Sequence, residues 1–208
     1  MEEKALVLDY MARGRSSDIK TEPMAQLIGK AAFTLLEVVP RPGVEFKSLD
    51  EVYVGKDERP QIDHIKKRLD YKGLTNNSLN ELEGAIQKIV LSDEAKYIAF
   101  YNTSRSISLK MHQIELLPGM GKKHMLQLLG EREKMPFTSF EEMKKRLHPF
   151  PDPVAAIVKR VAEELEGKDQ KFYLFTRPPS QEKEFRHGMY GGHDRRDNRD
   201  RPASYNRQ

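Results

Sequence analysis

Hydrophobic positions in the first half of the chain fall in short runs that are typical of β-strands. Lys4–Met11 is one such run, and 31–39 is rich in β-branched and aromatic residues. Shorter runs at 44–46 and 51–54 predict two more strands, whereas 61–69 fits a strand or a helix. Because glycine and proline separate these runs, we predict a small sheet domain. A five-stranded OB-like barrel and a generic α+β sheet fit the pattern about equally well.

Helical spacing replaces this pattern from residue 76 onward. A helix over 76–91 is predicted to start at a capping box of Ser78 and Glu81, and another helical turn or two follows at 95–101. The second half of the chain is predicted to contain helices at 108–116, 122–131, 139–147 and 152–166, and a closing strand at 172–175.

The composition of the chain differs at its C-terminal end. The segment 178–208 holds seven Lys or Arg and five Asp or Glu but almost no aliphatic residues. Such a segment cannot bury enough surface to offset its chain entropy, so we predict a disordered tail that is either solubilising or a weak RNA contact. The predicted organisation is α+β: an OB-like barrel over 1–104, a helical module over 105–177 and a disordered basic tail over 178–208.

The charge is unevenly distributed along the chain. Residues 1–104 hold fifteen Lys or Arg against seventeen Asp or Glu, whereas residues 105–208 hold twenty-one against fifteen. Half of the basic excess in the second part lies in 105–125, where Arg105, Lys110, Lys122 and Lys123 face only Glu115. This asymmetry indicates a polyanionic partner for the second half.

Several function classes lack the residues that they need. The chain has no cysteine, which excludes disulfides, a thiol nucleophile and thiolate-bound metals. No apolar run is long enough to span a bilayer, and the acidic N-terminus is unlike a signal peptide, so we expect a cytoplasmic protein with no membrane contact. The histidines lack metal-ligand spacing, and no nucleotide-binding or hydrolase motif occurs. We therefore expect no metal, no cofactor and no enzymatic activity.

The sharpest local motif is the segment 116–129, LLPGMGKKHMLQLL. Gly119 permits a positive φ, and Met120 is placed to pack between two helices. Gly121 carries no side chain that would screen the start of the next helix, which leaves backbone N–H groups open to a phosphate. Lys122 and Lys123 lie in the first turn of that helix, where the helix dipole disfavours cations and an external anion would compensate. An ordinary αα-hairpin with a glycine-rich turn is the alternative.

These residues resemble the helix-hairpin-helix motif of DNA- and RNA-binding proteins, in which hairpin amides hold a backbone phosphate without reading sequence. The resemblance implies a nucleic-acid contact at Gly119, Met120, Gly121, Lys122 and Lys123, to which we add Lys110 on grounds of charge. Base-excision glycosylases share the motif, with a catalytic lysine at the place of Lys123. They also carry a Gly-Pro-Asp segment that is absent here, so we interpret Lys123 as a phosphate contact.

A second, degenerate hairpin is predicted downstream, over 139–165. Its turn places Phe150 where Met120 lies in the first hairpin, and prolines replace both glycines. Ser139 and Asp152 are the predicted N-caps of its two helices, with Pro153 at the first helical position. Because Asp152 adds negative charge, we expect this unit to pack against the first hairpin and to hold phosphate poorly.

Over residues 4–176 the chain resembles an archaeal family of unknown function. The resemblance is carried by KALVLDY at the start, IELLPGMGKKHM, SFEEMKKR and DPVAAIVKRVAEEL. It implies an OB-like N-terminal domain, a helix-hairpin-helix module and nucleic-acid binding. Its implied association with transcription and translation favours RNA slightly over DNA, and a ribosome- or polymerase-associated partner. The alternatives are a protein–protein adaptor linked to that machinery and an undetected nuclease or glycosylase.

Overall fold

The structure is a computed structural model that describes residues 2–14, 22–168 and 170–178. The described chain is an α+β fold in which five helices accompany a curled five-stranded antiparallel sheet and a small two-stranded hairpin. The tail predicted over 178–208 lies, apart from its first residue, outside the described residues.

The strands are β1 (Lys4–Met11), β2 (Met24–Gly29), β3 (Leu35–Pro40), β4 (Glu51–Tyr53), β5 (Ile62–Arg68), β6 (Ser106–Ser108) and β7 (Met111–His112). The α-helices are α1 (Asn76–Ser92), α2 (Glu94–Thr103), α3 (Lys122–Lys134), α4 (Phe140–Arg146) and α5 (Pro153–Glu166). Short 3-10 helices lie at Tyr71–Gly73 and Gln113–Leu116.

The large sheet has the strand order β4-β1-β2-β3-β5, and all of its pairings are antiparallel. Successive residues of β1 point to opposite faces, as the pleat requires. Ala5 and Val7 join the core on one face, together with Phe46 from a loop. Leu6 and Leu8 join the larger core that the sheet shares with the helices. Every residue of β2 and β3 is buried, because both faces of the central strands are covered.

The sheet differs in detail from the sequence prediction. The strand predicted over 31–39 begins only at Leu35, because the preceding residues form a turn in which Phe33 has a φ of 54°. The carboxylate of Glu2 fixes this turn by accepting hydrogen bonds from three amides, those of Ala31, Ala32 and Thr34. The run 44–46 forms no strand. The sequence did not predict β2, whereas 61–69 is resolved as the strand β5.

Helix α1 links the sheet to the helical layer, since it packs against both β1 and α5. Its N-cap is Thr75, whose hydroxyl accepts from the amide of Ser78 at 3.1 Å, so the predicted capping box of Ser78 and Glu81 was wrong. Buried Gln26 of β2 holds this end of the helix by accepting from the Thr75 amide and from the Ser78 hydroxyl. The sequence predicted the extent of the helix but not the residue that caps it.

Two further predictions for the second half were wrong. The helix predicted over 108–116 is instead the β6–β7 hairpin followed by the 3-10 helix Gln113–Leu116. The run 172–175 is irregular and forms no strand. The predicted caps Ser139 and Asp152 are confirmed, and so is the end of α5 at Gly167, which has a φ of 71°.

Candidate nucleic-acid interface

A tight turn joins the 3-10 helix Gln113–Leu116 to α3. Leu117 and Met120 anchor this turn in the core, and the Met120 amide donates to the carbonyl of Leu117 at 3.0 Å. Gly119 has a φ of 81°, a conformation that side chains with a Cβ adopt only with strain. The residues predicted from the motif therefore lie together, with Met120 buried and Gly121, Lys122 and Lys123 exposed.

The N-terminus of α3 has no cap. Gly121 occupies the N-cap position, and no acidic residue lies in the first turn. Within the described part of the chain, nothing accepts a hydrogen bond from the backbone N–H of Gly121, Lys122 or Lys123, and neither lysine has an ion-pair partner. A Cβ added at Gly121 would meet no atom within 4 Å. The positive end of the helix dipole is thus open to solvent beside two unpaired ammonium groups.

The second hairpin lies beside the first. A Cβ added at Gly119 would approach the Cβ of Pro151 to 3.9 Å, and the rings of His124 and Phe150 meet edge to face at 5.7 Å. Phe150 is only half-buried, so it packs against the core rather than inside it. The contact between the two turns agrees with the prediction that the second unit packs on the first.

The corresponding helix N-terminus in the second hairpin is occupied. Oδ1 of Asp152 accepts from the amides of Val154 and Ala155 at 2.9 and 3.0 Å. Oδ2 of the same carboxylate pairs with Lys144 at 2.5 Å. Burial raises the pKa of Asp152, but the Lys144 ammonium and these amides outweigh burial and leave it below its ordinary value. The Asp152 carboxylate therefore already supplies the negative charge that an external anion would bring to this helix N-terminus.

Lys110 lies on a different element from the other predicted site residues. It is exposed in the turn between β6 and β7, where its amide donates to the hydroxyl of Ser108. Among the described residues, no hydrogen bond or ion pair joins Lys110 to the Gly119 turn. The structure thus brings Gly119 to Lys123 into one site and places Lys110 on a separate projection.

The β6–β7 hairpin is fixed at its base. The ring of His112 accepts from the Ile114 amide at 3.1 Å, while the Glu115 carboxylate accepts from the His112 amide at 2.8 Å. Arg132 of α3 donates to the carbonyl and the hydroxyl of Ser104, directly before the hairpin. Sequence reasoning missed these residues, because a histidine and an arginine with such spacing resemble ordinary surface residues.

We expect acid to destabilise the protein through His112. Burial, and then the nearby Arg132, lower the pKa of His112 below its ordinary value of 6.5. Below about pH 6.5 the unfolded chain therefore binds a proton that the folded chain does not, and stability falls as pH falls further. Urea unfolding between pH 7.5 and 5.5 should show a smaller pH slope in His112→Asn, which retains a cap acceptor. Equal slopes in the wild type and in His112→Asn contradict the assignment.

A buried ion pair on α5 helps to hold the segment that leads into the Gly119 turn. Arg160 and Glu164 meet at 2.8 Å, with side-chain exposures of 6% and 0%. Arg160 donates to the carbonyl of Leu116 at 3.3 Å, just before the Gly119 turn, and to the carbonyl of Phe172. The Glu164 carboxylate accepts from three amides and one hydroxyl of the following segment, belonging to Leu174, Phe175 and Thr176. Their i, i+4 spacing beside the apolar stripe of α5 is that of an ordinary surface pair, so the sequence pattern did not indicate this network.

The other candidate residues are buried or hydrogen-bonded within the fold, and they form no metal site in the described ranges. Of the aromatic residues in the first half, Phe33 is fully buried, and Tyr53 donates its hydroxyl to Asp57 at 3.0 Å. In the described ranges, no group of three or more His, Asp or Glu is placed to hold a metal ion. No helix in the described part of the chain combines the length and apolar character that a membrane span needs.

The family model described as "Protein of unknown function (DUF655)" matches residues 1–177. The chain belongs to the DUF655 family. The predicted resemblance to an archaeal family of unknown function is thereby confirmed, and the segment 178–208 lies outside the match.

Two archaeal proteins illustrate this relationship. The chain is 36% identical over 177 residues to the uncharacterized protein MJ0038 of Methanocaldococcus jannaschii, an alignment that covers 85% of this chain and 80% of that protein. It is also similar to the crystal structure of Af1531, a DUF655 protein from Archaeoglobus fulgidus. That match has 43% identity and a TM-score of 0.80, and it covers 85% of this chain and 100% of the other. The Af1531 structure therefore supports the fold over 85% of this chain.

Proposed function

We propose that this DUF655 protein is a non-enzymatic nucleic-acid-binding protein that holds a backbone phosphate at the Gly119–Lys123 hairpin without sequence readout. The observation that carries the proposal is the uncapped N-terminus of α3, flanked by two lysines that have no acidic partner among the described residues. Open amides at a helix N-terminus and adjacent ammonium groups together favour a phosphate oxygen.

The contrast between the two hairpins strengthens this proposal. Both place a helix N-terminus after a tight turn, but Asp152 caps α5 with its own carboxylate, whereas no side chain of the described residues caps α3. A capping side chain at position 121 would stabilise the α3 terminus by only about a few tenths of a kcal/mol over glycine. Glycine at that position forgoes the cap and leaves room for a ligand.

In this proposal the second half is a helix-hairpin-helix module with one working and one degenerate hairpin, and the first half is an OB-like barrel. The curled sheet and the two turns packed side by side support this description. We favour RNA slightly over DNA and a partner in transcription or translation, as the family resemblance implies.

The steric part of the proposal is tested by Gly121→Ala. A Cβ at this position meets nothing in the protein but stands where a phosphate would approach the amides. We expect affinity for RNA or DNA to fall about tenfold, the equivalent of one charge-assisted hydrogen bond, when measured by fluorescence anisotropy at low salt. The weaker cap and the reduced freedom of the unfolded chain offset each other, so stability should stay within about 1 kcal/mol of the wild type.

Gly130→Ala is the matched control for that variant. Gly130 lies in the same helix, and a Cβ there also meets no atom within 4 Å. This change should raise stability by up to about 1 kcal/mol, because alanine favours the helix, and should leave affinity unchanged. Equal affinities for both variants contradict a phosphate at Gly121. No binding of any polynucleotide by the wild type contradicts the proposed function and favours the protein–protein adaptor.

A further inference from the structure

The leucine at the tip of the β6–β7 hairpin buries none of its apolar surface within the fold. Leu109 is 108% exposed, and Met111, two residues further, is 37% exposed. Burying a leucine normally stabilises a protein by about 2 kcal/mol, so a leucine held wholly in water contributes nothing to folding. Its side chain is therefore available for a partner.

The hairpin that carries Leu109 is held in place at its base. The amide of Gln113 donates to the carbonyl of Arg105 at 3.1 Å, and the Gln113 side chain accepts from the Arg105 amide at 2.9 Å. Strand pairing joins Ser106 to His112 and Ser108 to Met111. Arg132 also donates hydrogen bonds to Ser104, the residue before Arg105. The tip therefore projects from a base that is fixed in the fold.

The charge of this projection indicates which class of partner fits it. Residues 105–114 contain Arg105 and Lys110 and no carboxylate. Within the described residues, neither of these cations has an ion-pair partner. The small side chains of Ser106 and Ser108 flank the tip, so a partner's backbone meets little steric obstruction there. A neutral protein surface would leave both cations uncompensated, whereas a polyanion matches them.

We propose that Leu109 is a wedge that enters between adjacent bases of a duplex nucleic acid while Arg105 and Lys110 contact the flanking phosphates. This inference rests on the proposed function and specifies its substrate as base-paired nucleic acid. Apolar side chains inserted at a base step partly unstack it, at a cost that the added backbone contacts offset. In this proposal one duplex contacts both the wedge and the Gly119 turn, which the 3-10 helix Gln113–Leu116 connects.

The test uses a short duplex with 2-aminopurine at its single pyrimidine–purine step, the kind of step that opens most easily. Both the DNA and the RNA forms are titrated with the full chain. Unstacking raises 2-aminopurine fluorescence, so we expect the wild type to raise it on binding. Leu109→Ala should bind up to about tenfold more weakly, because less apolar surface leaves water, and should give no rise at saturation. Leu109→Met, which restores an apolar wedge, should restore the rise.

Leu91→Ala is the matched control, since Leu91 is 53% exposed on α1 rather than on the β6–β7 hairpin. It should bind and unstack like the wild type. A full fluorescence rise with Leu109→Ala, at intact affinity, overturns the wedge alone and leaves the phosphate contact standing; the tip would then serve a protein partner. Wild-type binding to the single strand but not to the duplex also overturns it. Failure of the wild type to bind any of these probes overturns the proposed function itself, and the wedge with it.

Discussion

Lys122→Glu combined with Lys123→Glu is expected to lower the affinity for RNA and DNA by roughly a hundredfold at low salt, since a like charge placed against a phosphate costs several kcal/mol. The same change should not destabilise the protein. Both residues lie in the first turn of α3, where no acidic residue is present, and glutamates there interact favourably with the helix dipole. Affinity is therefore expected to fall while the free energy of unfolding stays the same or rises. This combination distinguishes a lost phosphate contact from unfolding.

The measurement is fluorescence anisotropy over a range of salt concentrations, with thermal unfolding of the same samples. Affinity of the wild type should fall steeply with salt, and the slope of log K against log salt should drop by about one for each phosphate contact removed. Lys56→Glu with Lys159→Glu is the control, since it makes the same change in net charge at two other exposed lysines. If both double variants lose the same affinity, net charge alone explains binding, and the hairpin has no special role.

Local pattern was enough to predict most of the helical half. The Gly119 turn, the start of α3 at Lys122 and the Asp152 cap depend on neighbours only a few residues away, so the sequence around them contains the necessary information. The proposed phosphate site was found for the same reason. Its residues are contiguous, and the chemistry follows from backbone amides and two adjacent side chains.

The errors arose where distant residues decide local structure. β2 contains Gln26 in its centre, which weakens its apolar pattern. In the fold that side chain is fully buried and bonded to Gly73 and Thr75, almost fifty residues along the chain. The segment 108–116 has helical spacing, but Gln113 and Arg132 pin the residues around it into a hairpin. No local propensity anticipates such partners, because tertiary contacts override it.

The same distinction separates the two parts of the interface. The residues that would touch a phosphate were predictable, whereas those that hold the turn were not. Arg160 and Glu164 have the spacing of an ordinary surface pair on a helix. They become a buried network only because the segment 172–176 folds back over them and because Leu116 presents its carbonyl to Arg160. Support for the site is therefore a property of the tertiary fold.

Glu164→Gln is expected to reduce the free energy of unfolding by about 3–5 kcal/mol, because it leaves the buried Arg160 charge without its partner. The carboxylate accepts from Arg160 and from four groups of Leu174, Phe175 and Thr176. A glutamine has one acceptor oxygen and turns an NH₂ group toward donors that it cannot satisfy. Urea unfolding followed by circular dichroism measures this loss. Since Arg160 also holds the carbonyl of Leu116, weaker nucleic-acid binding should accompany it.

The control is Glu141→Gln, which breaks an ion pair with Lys145 at the same i, i+4 spacing on the exposed face of α4. Solvent screens that pair, so its loss should not be measurable. The double change Arg160→Met with Glu164→Leu should recover part of the stability, because no buried charge then remains unpaired. Recovery stays incomplete, since the amides of Leu174, Phe175 and Thr176 still lose their acceptor. Equal stabilities for Glu164→Gln and Glu141→Gln would show that the Glu164 network does not hold the C-terminal segment on α5.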